Sequence, residues 1–221
     1  IKKEAEKLMA KNKYVIDKGI WSQKTKKNIY IMGNRPGSSS MYQPNPNYFD
    51  IHKVKKKDYS NYDVTETIEI DCDSLNTFLK KFGIHKLDYL KIDTQGSELE
   101  ILKGLGDYRP LVIKIEAHIF SMYKEVPGWN ELLDCLYKLN YVVIDWKSIG
   151  SHVTRVPAEM DMLFIPNFRN IEGSNLITSN ESKYVSLMLI FGQISLLKII
   201  SQTNNFESLS EINDLEDRYF N

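Results

Sequence analysis

Two rhythms of apolar and polar residues run along this chain. The runs LDYLKID at 87–93 and LVIKIEAH at 111–118 are nearly continuous in apolar residues, as strands covered on both faces are. The stretch SELEILKG at 97–104 between them has helical periodicity and ends on a glycine. Together they predict a β-α-β unit with two neighbouring parallel strands. Residues 65–70 alternate as a half-exposed strand does, and Asp73 or Ser74 can cap a helix whose apolar face carries Leu75, Phe78, Leu79 and Phe82. Trp129, Leu132, Leu133 and Leu136 mark another amphipathic helix. Short strands are expected at 14–16, 29–32, 141–144 and 162–165, with His152 and Arg155 in the loop joining the last two. Residues 3–11 read as the end of a surface helix. Residues 33–62 read as one long loop, of the kind that in a compact domain carries function.

The β-α-β unit also holds the chemistry. Asp93 stands at the carboxyl end of the first strand, where ligands of open α/β sheets bind, and Gly96 permits a tight turn. Glu98 opens the helix, where the macrodipole favours an acid. Lys91 lies in the middle of an apolar strand and shares a face with Asp93, and Lys114 and Glu116 repeat that spacing in the second strand. Asp93 and Glu116 are therefore expected close together at one edge of the sheet. His118 is expected just beyond the second strand, in a loop, where a general base belongs. Two Lys–carboxylate pairs that merely stabilise strand ends are the competing explanation.

The wording KIDTQGSELEILKG resembles the signature of FkbM-type methyltransferases, which move a methyl group from S-adenosylmethionine to hydroxyl oxygens. The segment Gly19-Ile20-Trp21-Ser22, the loop Pro36-Gly37-Ser38-Ser39-Ser40 and residues 70–79 and 141–164 resemble its flanks in the right order, covering roughly 1–166. The resemblance implies a Rossmann-like class I methyltransferase α/β sheet, seven-stranded when whole. Its first two strands, with their glycine turn and ribose-binding acid, would precede Ile1, so the chain reads as a fragment of a longer protein whose activity alone is open. It also implies cofactor contacts from Asp93, Gly96, Glu98 and Trp21, a catalytic group of Asp93, Glu116 and His118, and acceptor contacts from Ser38, Ser39 and Ser40 on a mobile lid. His118 is the expected base, with Glu116 orienting it or the acceptor. Domain limits of 1–166 for the partial methyltransferase domain and 167–221 for a C-terminal helical extension follow.

Composition narrows the partners. Lys+Arg and Asp+Glu both number 29, so the net charge is +0 and neither nucleic acid nor an anionic membrane is the natural target. A small hydroxylated acceptor, sugar-like, is expected instead. Two cysteines outside any metal-ligand spacing suit a reduced, cytoplasmic setting. The apolar stretch at 184–200 is interrupted by Ser186, Gln193, Ser195 and Lys198, so it is read as one helix packed on the domain or between subunits of a homo-oligomer, not as a membrane span. Residues 204–221 read as solvated. No metal is expected at the site, because Lys91 and Lys114 would neutralise the two acids. Two alternatives remain in view: a metal-dependent glycosyltransferase using Asp71 and Asp73, and a non-catalytic remnant of the fold with a binding role.

Overall fold

The structure is a computed structural model that describes residues 13–149, 156–208 and 212. The helix expected at 3–11, and His152 and Arg155, lie outside the described residues. Seven strands form two sheets. β1 (Gly19–Trp21), β2 (Thr25–Met32) and β3 (Val64–Ser74) make the first, in the order β1-β3-β2, with β1 parallel and β2 antiparallel to β3. β4 (Tyr89–Ile92), β5 (Val112–His118), β6 (Tyr141–Ile149) and β7 (Glu159–Pro166) make the second, in the order β4-β5-β7-β6. β4 and β5 pair in parallel and the other two pairings are antiparallel. Among the described residues this is a mixed α/β fold of two sheets. The strand expected at 14–16 does not form.

Helices cover both faces of the second sheet. α1 (Leu75–Lys81), α2 (Glu98–Lys103) and α3 (Trp129–Lys138) bury Leu79, Leu102 and Leu136 against Ile92, Ile113 and Ile115. Ser74 caps α1, its side chain accepting from Thr77 N at 3.1 Å. On the other face α4 (Ile171–Thr178), α5 (Glu181–Ile190) and α6 (Ile194–Thr203) pack Ile177, Tyr184, Met188, Leu197 and Ile200 against Val112, Leu163 and Ile165. Fully burying one such side chain is worth about 1.5–3 kcal/mol, so each face is held by several contacts of that size.

The C-terminal region corrects two expectations. The single helix read at 184–200 is two, because Gly192 takes φ +67 and Gln193 N donates back to Met188 O at 2.9 Å, a left-handed helix stop. Nor is the tail wholly solvated: Phe206 and Ile212 are buried in the second core. Among the described residues no helix is long and apolar enough to cross a membrane. The long loop contains three short 3₁₀ turns, Pro36–Ser38, Pro46–Tyr48 and Lys56–Tyr62. Met32, Phe49, Tyr62, Met122 and Tyr123 form a third apolar cluster that fastens this segment to the loop after β5.

Candidate active site

Asp93 follows the last residue of β4 and Glu116 lies near the end of β5, side by side because the two strands are parallel with Lys91 opposite Lys114. The turn between β4 and α2 is held from inside by Glu98. Its Oε1 accepts from Thr94 N at 2.9 Å, Thr94 Oγ1 at 3.0 Å and Gly96 N at 3.2 Å. Glu98 is 4% exposed and its inner oxygen is engaged by the turn itself. The structure thus places it as the turn's clamp through Oε1. Gly96 takes φ +119, and a Cβ there would lie 2.8 Å from Val126 Cγ2 and 3.0 Å from Tyr42 Cδ2. Trp21 is buried in β1, with Tyr42 between it and this turn.

Gln95 is the hub. It holds φ +60, unusual for a residue with a side chain, and backbone of that kind gathers at functional sites. Its Nε2 donates to Glu116 Oε1 at 3.0 Å and reaches Asp93 Oδ1 at 3.5 Å. Its Oε1 lies 2.8 Å from the Tyr123 hydroxyl, which is also 2.8 Å from Ser38 O, and one proton serves one of them at a time. Ser40 Oγ donates to Gln95 O at 2.6 Å and accepts from Tyr42 N, while Ser39 Oγ accepts from Met32 N. Ser38 and Ser40 are buried. The serine loop expected to present hydroxyls to an acceptor instead uses those of Ser39 and Ser40 to fasten itself to the site.

The electrostatics separate the two acids. Lys91 Nζ lies 2.7 Å from Asp93 Oδ2 and holds that carboxyl below its ordinary range. Lys114 does not repeat this with Glu116: it pairs with Asp161 on β7 at 2.7 Å. Glu116 is left without a lysine, and burial, followed by the charge of Glu159, pushes its carboxyl up to about 7. The expectation that two lysines neutralise two acids therefore fails at Glu116.

His118 is also displaced from expectation. It is the last residue of β5, 5% exposed, opposite Glu159 of β7. Its Nδ1 lies 3.3 Å from Glu159 Oε1 and its Nε2 3.9 Å from Glu116 Oε1. Both are charge contacts off hydrogen-bond geometry, and neither ring nitrogen has a hydrogen-bond partner. Burial alone would depress the imidazole, but the carboxylates of Glu159, Glu98 and Glu116 outweigh it and raise its pKa. A base in a loop facing the acceptor is thus replaced by a buried ring between two acids. His52, which pattern reading leaves as a loop residue without a partner, adds its Nδ1 at 3.6 Å from Glu159 Oε1, with Nε2 2.7 Å from Phe120 O.

A cavity of about 300 Å³ opens beside this group, lined by His118, Tyr123, Asn45, Tyr48, Ser121 and Glu125 among others. That is the small end of the range for ligand pockets and suits a polar molecule. Asp71 and Asp73, the pair a glycosyltransferase would use, are engaged locally: Asp71 by Lys18 at 3.6 Å and Asp73 by its neighbour Ser74 N at 2.7 Å.

Residues 11–143 match the family described as Methyltransferase FkbM domain, which is more than half of the chain. The chain belongs to the FkbM methyltransferase family. Methyl transfer is the activity this membership carries, and the matched region contains Asp93, Gln95, Glu116 and His118, whereas Glu159 lies beyond it. Searches of curated proteins and of solved structures found no match.

A methyl donor follows from the family, and the described residues fit one part of it. Asp93, Gln95 and Glu116 offer polar groups at the strand ends. The amides of Thr94 and Gly96 donate to Glu98.

Proposed function

We propose that this chain belongs to an S-adenosylmethionine-dependent O-methyltransferase whose acceptor is a hydroxyl of a small, sugar-like molecule. The observation that carries the reading is Gln95 joining Asp93 and Glu116 at adjacent strand ends, next to a small polar cavity. S-adenosylmethionine, when bound, supplies an electrophilic methyl group; the protein's tasks are to align the acceptor oxygen and to receive its proton. Asp93, kept ionised by Lys91, orients the acceptor hydroxyl by accepting from it. Glu116 receives the proton. It is the most exposed member of its cluster, with 13% of its side chain accessible against 2% for His118, and no lysine holds it ionised. His118 and Glu159 position Glu116 from behind. The domain limits of 1–166 and 167–221 belong to this reading, with α4–α6 as the extension.

The test is transfer of labelled methyl by the full chain to a panel of hydroxylated sugars. Label is expected on oxygen, and Glu116→Gln, checked for folding, should slow it at least about a hundredfold, the low end for a positioned acid–base group. Transfer unchanged in that variant, or label on nitrogen, would refute the assignment.

A further inference from the structure

We propose that Glu116, His118 and Glu159 form a binding site for one divalent first-row transition-metal ion beside the acceptor hydroxyl, an inference that rests on the reading above. One ligand atom from each residue lies within 4.8 Å of the others. Around an ion with bonds of about 2.0–2.2 Å, neighbouring ligand atoms sit roughly 3–3.5 Å apart. His118 offers the ion one ring nitrogen: its Nδ1, 3.3 Å from Glu159 Oε1, already meets that spacing, and the ligand atom of Glu116, within 4.8 Å, has to close on the pair by a side-chain shift.

Three further observations point the same way. The first is the ring itself: His118 is 5% exposed, and both of its nitrogens are buried without a hydrogen-bond partner. Buried polar groups in native proteins are almost always satisfied, and an ion is one of the few ways to satisfy this one. The second is charge. The carboxylates of Glu116 and Glu159 are buried together with the imidazole of His118, with His52 beside Glu159, while the nearby Lys91 and Lys114 are engaged by Asp93 and Asp161. Buried carboxylates are costly unless a cation offsets them. The third is the surrounding support. Gln95 donates to Glu116 Oε1 at 3.0 Å and so orients it. Partners of this kind fix first ligands in known metal sites.

The donor set selects the ion. Two carboxylate oxygens with one imidazole nitrogen suit Mn²⁺, Fe²⁺ or Zn²⁺ better than Ca²⁺ or Mg²⁺, which favour oxygen alone. Such an ion would polarise the acceptor oxygen and ease its loss of a proton. Glu116 can ligate through Oε1, which already faces His118, and keep Oε2 for that proton.

The experiment uses the full chain stripped with EDTA and titrated with Mn²⁺ by electron paramagnetic resonance, with Zn²⁺ as competitor. One Mn²⁺ per chain is expected, displaced by Zn²⁺, with a nitrogen coupling in the pulsed spectrum from directly bound imidazole. Glu159→Gln should weaken binding at least about tenfold, by analogy with the loss caused by removing even supporting groups. The nitrogen coupling is read on the unaltered chain, so the test stands even if a variant misfolds. No stoichiometric binding, no nitrogen coupling, or affinity unchanged in folded Glu159→Gln would overturn the site. Absent binding together with Glu116-dependent methyl transfer would overturn the ion alone and leave the proposed function standing. Stoichiometric binding in a chain that transfers no methyl group would support the site and count against that function.

Discussion

Replacing Gly96 by alanine tests whether the turn between β4 and α2 is as constrained as its geometry implies. Gly96 has φ +119, and backbone of this kind costs a residue with a side chain about 1–3 kcal/mol. The new methyl would also meet Val126 Cγ2 at 2.8 Å and Tyr42 Cδ2 at 3.0 Å, and overpacking of this sort adds about 1–3 kcal/mol. The sum, about 2–6 kcal/mol, is a large fraction of the 5–15 kcal/mol typical of a whole domain. Gly83 supplies the control. It too has a positive φ, +65, but nothing lies within 4 Å of its Cβ position, so Gly83→Ala should cost only about 1–2 kcal/mol. The assay is thermal unfolding of the two variants beside the unaltered chain, where each kcal/mol is worth roughly 2–4 °C at this size. Gly96→Ala should melt well below Gly83→Ala. Equal melting temperatures would show that Val126 and Tyr42 yield freely and that the turn is not tightly built.

Gln95→Gly removes the link between Asp93 and Glu116 while relieving the strained φ of +60. About 1–2 kcal/mol gained from the backbone offsets a similar loss of hydrogen bonds, so stability should change little. Methyl transfer should fall roughly ten- to a hundredfold from misplacement, and full activity would refute the hub role. Asp93→Asn should lower transfer at least about a hundredfold; a melting temperature that falls while the folded enzyme turns over normally would make Asp93 only a partner for Lys91. The pair is half-exposed, so its loss should cost under about 1 kcal/mol at neutral pH. Lys91 depresses the Asp93 carboxyl, so that small stability is present above the ordinary value near ~3.9 and lost as pH falls through the lower folded value. Acid-unfolding curves of Asp93→Asn and the unaltered chain should therefore converge below about pH 4. Tyr184→Phe removes a fully buried hydroxyl that has no hydrogen-bond partner among the described residues, so the melting temperature should hold or rise, and a clear fall would reveal a partner.

Much of the fold was readable because its rules are local. Continuous apolar runs marked β4 and β5, helical spacing marked α1 and α3, and Ser74 marked a helix start. The long central loop was readable as one segment but not in its packing, because Phe49 and Tyr62 find Met122 and Tyr123 only after folding. At 14–16 a short apolar triplet predicts a strand only if a partner edge is available, and none pairs with it. The glycine in Phe191-Gly192-Gln193 was a visible stop signal for α5, outweighed in the pattern by the apolar residues on both sides.

The site was half legible, and the reason lies in where each charge finds its counter-charge. Residues two apart on a strand share a face but stand almost 7 Å apart, whereas a cross-strand neighbour is roughly 5 Å away. Among the described residues β4 is paired on one side only, by β5, and there Lys91 pairs with Asp93 as sequence spacing predicts. β5 is central, and β7 brings Asp161 opposite Glu116 and within reach of Lys114. The same register brings Glu159 opposite His118. One antiparallel pairing therefore takes the lysine away from Glu116 and sets a second carboxylate beside its histidine. The β-α-β unit alone predicts two neutralised acids. Only the pairing of β5 with β7 sets one of them in a buried cluster of two carboxylates and an imidazole, and the proton transfer and metal binding proposed above both depend on that juxtaposition.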